Sequence, residues 1–101
     1  MPKAKPNRPS RGAPAAPAPR VRVERIQTGV RIEKRLLKVL KALADYHDLT
    51  LGDLLEGIVL HAFEGKAPFG EDSLRRIADL KRVFGLDLDA RASHRLYEAG
   101  S

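Results

Sequence analysis

The sequence predicts a mainly α fold assembled from two copies of the chain: one short strand per chain, paired antiparallel across a homodimer over a core of four helices, with a C-terminal helical extension. Three observations predict it. Residues 25–32, RIQTGVRI, alternate in the manner of a strand, with Ile26, Thr28, Val30 and Ile32 on one side and Arg25, Gln27, Gly29 and Arg31 on the other. The residues that follow, as far as 63, repeat with a helical period. The strand therefore has no second strand in its own chain, and its backbone donors and acceptors need the same strand of another copy.

The length of 101 residues, with 43% apolar and 5% aromatic residues, allows one small domain with a modest helical core. There is no cysteine, so disulfides, thiolate metal sites and thiol nucleophiles are excluded. No apolar run approaches the ~20 residues of a membrane span, and the basic, proline-rich beginning lacks the apolar stretch of a signal peptide. A soluble, cytoplasmic protein is expected, with no membrane partner.

The net charge of +6 resides at the N-terminus: Lys3, Lys5, Arg8, Arg11, Arg20 and Arg22 meet no acid before residue 24, and the rest of the chain is neutral. That remainder is polarised. Between residues 25 and 41, Arg25, Arg31, Lys34, Arg35, Lys38 and Lys41 face only Glu33, whereas Asp45, Asp48, Asp53, Glu56 and Glu64 follow without a Lys or Arg among them. One surface attracts polyanions and another repels them.

Three segments follow from this. Residues 1–24 read as a disordered basic arm rich in Pro and Ala, suited to phosphates. Residues 25–64 hold the strand and two helices. The first helix is predicted over 33–47 from Leu36, Leu37, Leu40, Leu43 and Ala44; Asp48 and Leu49 make the turn. Thr50 is the N-cap of the second, with Asp53 placed to complete a capping box. Leu51, Leu54, Leu55, Ile58, Val59, Ala62 and Phe63 then give that helix an apolar face wider than the first helix can cover, which points to a partner chain or to the C-terminal segment. Residues 65–101 form the extension: a helix over 71–84, with acids in its first turn, Lys81 and Arg82 in its last and Gly85 as its stop, then a short helix from Asp89 to Tyr97.

Catalytic and metal chemistry find no pattern. His47, His61 and His94 are scattered, Asp87 and Asp89 imitate a calcium loop but Arg91 stands where a third oxygen ligand is needed, and Ser73 and Ser93 lack a nucleophile elbow. No enzyme activity and no cofactor are expected. A binding geometry remains. A two-stranded ribbon fits the major groove of double-stranded DNA, where Gln27 is suited to adenine and Arg31 to guanine. The first turn of the second helix, at Thr50, Leu51 and Gly52, offers free backbone donors to a phosphate.

The stretch IQTGVRIEKRLLKVLKALADYHDLTLGDLLEGIVLHAF resembles the ribbon-helix-helix family of bacterial and phage repressors, of which Arc and MetJ are examples. The resemblance covers the strand and two helices only. It implies a homodimeric regulator of transcription on the bacterial nucleoid, a repressor, with Gln27, Gly29 and Arg31 at the base-contacting positions and Thr50, Leu51 and Gly52 at the helix phosphate contact. Arg20, Arg22, Arg25 and Lys34 are the further phosphate-contacting candidates. Two departures stand out. Asp48 occupies a turn position where the family commonly has Gly, and Gly29 supplies no side chain at the middle reading position. The alternative is a protein-interaction module of antitoxin type, whose extension, residues 66–101, binds a partner protein. The two readings separate on whether the stripe of Leu74, Ile77, Leu80 and Phe84 folds back on the second helix and Leu60 or projects from the body.

Overall fold

Helix α1 (Lys34–Tyr46) is the element on which the others assemble, in a computed structural model that describes residues 19–99. Glu33 starts it: the Leu36 N–H donates to Glu33 Oε1 at 2.8 Å, satisfying one of the donors that a helix N-terminus leaves free. Helix α2 (Leu51–Phe63) is capped by Thr50, whose Oγ accepts from the Asp53 N–H at 3.0 Å. Helix α3 (Glu71–Phe84) occupies the stretch its periodicity predicts, with Glu71 and Asp72 in its first turn and Lys81 and Arg82 in its last.

All three helices end in the same way. An N–H donates across the last turn to the carbonyl five residues back, Leu49 to Ala44 at 2.9 Å, Lys66 to His61 at 2.9 Å and Leu86 to Lys81 at 2.8 Å. Each closure requires one residue in the left-handed region. Gly65 (φ 70°) and Gly85 (φ 67°) supply it for α2 and α3, and Asp48 (φ 61°) supplies it for α1.

α1 packs against both α2 and α3. Its Leu43 and Ala44 are buried with Leu54 of α2, and Leu40, Ile58, Phe69, Ile77 and Leu80 close around them. Two polar staples set α3 antiparallel to α1. At one end Arg35 donates to the Gly85 carbonyl at 2.8 Å and to Asp87 at 3.1 Å; at the other, Ser73 Oγ lies 3.0 Å from His47 Nε2. The Arg76 guanidinium lies over the Tyr46 ring, 4.2 Å from its centre, beside the second staple.

The ribbon-helix-helix class expected from the sequence is overturned. Residues 25–32 are extended, but among the described residues there are three α-helices, a 3-10 turn at Ala90–Ala92 and no strand. The fold is mainly α, and among the described residues Leu43, Ala44 and Leu54 form a buried cluster within one chain. Side-chain alternation gave the segment two faces, but a strand is defined by a ladder of backbone bonds, and among the described residues of this chain no second extended segment lies alongside to form one. Ile26 and Val30, expected to point into a core, are 85% and 74% exposed.

The helix predicted from Asp89 to Tyr97 is also corrected. Asp89 does cap a turn, accepting from the Arg91 N–H at 3.0 Å, but the turn ends at Ala92 and His94 adopts φ 65°, which reverses the chain. Of the basic arm expected over 1–24, residues 1–18 lie outside the described residues.

Candidate nucleic-acid interface

The residues singled out from the sequence fall on three adjoining pieces: the extended segment before α1, the exposed face of α1 and the first turn of α2. Residues 19–31 are exposed throughout, so Arg20, Arg22 and Gln27 stand in solvent. Gly29 is equally open, since a Cβ built there would meet no atom within 4 Å.

The two arginines Arg25 and Arg31 are each held by carboxylates from distant parts of the chain. Arg25 Nε donates to Glu56 Oε2 at 2.8 Å and its Nη2 to Glu56 Oε1 at 2.7 Å and Asp53 Oδ1 at 3.2 Å. This fork ties the start of the segment to the first two turns of α2. The hydrogen bonds with Glu56 raise the Arg25 pKa, and the same bonds hold the Glu56 carboxyl below the ordinary carboxylate range. Asp53 thus points to Arg25 rather than completing the capping box expected at Thr50.

Arg31 is held at the other end of the segment. Its Nε donates to Glu98 Oε2 at 2.8 Å and its Nη2 to Oε1 at 2.5 Å, which lowers the Glu98 pKa and raises that of Arg31. A groove of about 670 Å³ runs here between residues 30–34 with Leu37 on one wall and Leu96, Tyr97 and Glu98 on the other. Sequence reasoning missed Glu98. It lies 67 residues from its partner, and nothing local in LYEAG marks it.

Lys34, Lys38 and Lys41 are exposed and follow one another at i, i+4 and i+7, so they form a single stripe along α1. Asp45 ends the stripe one turn later. Among the described residues, the ion pairs engage Arg25, Arg31, Arg35, Lys66, Arg75, Arg82 and Arg91 and leave all three lysines out. Only Lys34 was singled out from the sequence. The spacing that would have added Lys38 and Lys41 was already legible. Arg35, adjacent to Lys34, belongs to the staple with Gly85 and Asp87 instead.

At the start of α2, Thr50 spends its hydroxyl on the Asp53 N–H, and Leu51 and Gly52 follow in the first turn, with Gly52 exposed. The Arg25 fork places the extended segment beside this turn, so the structure does bring those two predicted contact regions together. It also places two carboxylates, Asp53 and Glu56, next to them, which opposes an anion there.

Other chemistry has little to stand on. Ser73 beside His47 is half of a nucleophile and base pair, but among the described residues no hydrogen bond orients the other ring nitrogen. Arg91 closes on Asp89 at 2.7 Å, occupying the carboxylate that resembled a calcium ligand. Among the described residues no group of three or more His, Asp or Glu could hold a metal ion, and no helix is long and apolar enough to cross a membrane. No family model, curated protein or solved structure matches this chain.

Proposed function

We propose that this protein is a DNA-binding transcriptional regulator that works as a homodimer. The observation that carries the reading is the lysine stripe of α1, exposed, unneutralised among the described residues and continuous with an extended segment bearing Arg20, Arg22, Gln27 and Arg31. Lys34, Lys38 and Lys41, with Arg20 and Arg22, take phosphates; Gln27 and Arg31 take base edges from the extended segment, and Gly29 contributes none. Thr50, Leu51 and Gly52 offer backbone donors to a flanking phosphate, and Arg25 joins them by exchanging Glu56 for that phosphate. The second copy is supported by the open face of α2: Val59, Leu60 and Phe63 are 43%, 64% and 81% exposed, and α3, which could have covered them, packs on α1 instead.

Binding to duplex DNA as a function of salt tests this. Removing one lysine that neutralises a phosphate should reduce the slope of log K against log salt by about 0.9, so replacing Lys34, Lys38 and Lys41 with Ala should lower it by nearly three such steps. An unchanged slope sinks the role of the stripe. Selection from a random pool of duplexes reads sequence preference, which Arg31→Ala should relax.

The partner-protein reading of residues 66–101 has less support. Ile77 and Leu80 are committed to the core cluster, so half of the four-residue stripe that a partner would grip is spent within the chain. The stripe does not fold back on Leu60, as a structural extension was expected to do, but on α1.

A further inference from the structure

After α3 the chain returns toward its own beginning. Arg35 holds Gly85 and Asp87, the 3-10 turn and the left-handed His94 redirect the backbone, and Leu96, Tyr97 and Glu98 come to rest across the groove from residues 30–34. Spanning that groove is the two-pronged ion pair of Glu98 with Arg31. Glu98 is also the only acidic residue after Asp89, so the tail presents its single acidic side chain to the one guanidinium at that end of the extended segment.

We propose that residues 95–98 are an autoinhibitory strap that masks Arg31 from nucleic acid. This rests on the DNA-binding reading above. Glu98 takes the Nε and Nη2 edge of Arg31, an edge that can equally serve a phosphate or the O6 and N7 of guanine, so the two engagements compete for it. The carboxylate also adds a negative charge to the groove that Lys34 lines, at the end of the lysine stripe where the segment joins it. The strap is a weak latch. Arg31 and Glu98 side chains are 83% and 59% exposed and hence screened by water, and Leu96 and Tyr97 bury little of themselves, at 51% and 89% exposed. It therefore sets the affinity rather than abolishing binding. Because coupling is reciprocal, bound DNA drives the tail off the body.

The test is a double-mutant cycle on the full chain, using a fluorescent random-sequence duplex at low and at physiological salt. Glu98→Gln should tighten binding by about two- to fivefold, the range open to an exposed ion pair. In the Arg31→Ala background the same change should have little effect, because the strap then has nothing to mask. An equal gain in both backgrounds would mean that Glu98 acts only through general charge, and no gain in either would mean that it does not act; both overturn the strap while leaving DNA binding intact. If no variant binds duplex even at low salt, the DNA-binding reading fails and the strap falls with it. Release is read separately by trypsin cleavage at Arg95, which should quicken when duplex is added and be equally fast with or without duplex in Glu98→Gln.

Discussion

The more apolar of the first two helices is the less buried one. α1 and α2 are each thirteen residues long, and α1 carries five charged side chains against two in α2. Yet α1 buries Val39, Leu43 and Ala44, whereas α2 buries Leu54 alone. Position explains the inversion. α1 lies between two neighbours, so its narrow apolar face is covered, and its charges lie on what remains. Among the described residues α2 has a helical neighbour on one side only, and Val59, Leu60 and Phe63 are left open. A helix finished by its own chain can be charged elsewhere; an apolar helix at the edge implies a surface still to be covered.

The contrast between the two helices should be sharpest at Leu43, 1% exposed at the centre of the cluster. Leu43→Ala should cost about 2–5 kcal/mol, a large share of the stability of a small domain, and urea titration should show a midpoint shifted far down. On α2 an apolar residue should behave differently. Phe63→Lys should leave the helical circular dichroism intact and change the stability of the single chain by about 0.5 kcal/mol or less. It should also lower the sedimentation mass from two chains to one. An unchanged mass would remove the open face as the dimer contact.

The helix ends permit a finer test. α2 and α3 close on glycine, while α1 closes on Asp48 with the same left-handed geometry. Asp48→Gly should therefore stabilise by about 0.5–1 kcal/mol, visible as a raised melting temperature, and Gly65→Ala should destabilise by a similar amount. A destabilising Asp48→Gly would show that the turn is not strained at Asp48, and a stabilising Gly65→Ala would show that the end of α2 does not need glycine.

Acid should produce the smallest effect. Glu33, lowered first by the Leu36 N–H, and Glu56, lowered by Arg25, both lie below their ordinary value of 4.5. Groups depressed in the folded state stabilise it above their unfolded pKa and lose that contribution as pH falls through the folded one. Stability should thus be level near neutrality and decline below about 4.5, and Glu33→Gln should make the decline shallower in urea titrations across that range.

Local chemistry made the helices legible. Thr50 before α2, Gly65 and Gly85 after α2 and α3, and leucines at helical spacing fix where each begins and stops, because caps and periodicity act within a few residues. The pairing of the extended segment was not legible. RIQTGVRI encodes two faces, but whether another backbone lies beside it is a property of the whole fold. For the same reason the stripe of α3 announced that it would pack without saying that α1, and not α2, would receive it. In the candidate interface, the lysine stripe could be read from spacing alone, while the Arg31 and Glu98 contact joins residues whose separation hides it from any local pattern.

Gly29 has a consequence for how such a surface could change. Its φ is not in the left-handed region, its surroundings are empty to 4 Å, and it stands between Gln27 and Arg31 on the exposed segment. A Cβ can be placed there without meeting an atom of the described residues. The position is a vacant socket: under the proposed DNA-binding role, Asn, Lys or Ser at residue 29 would add a recognising side chain to an unchanged scaffold.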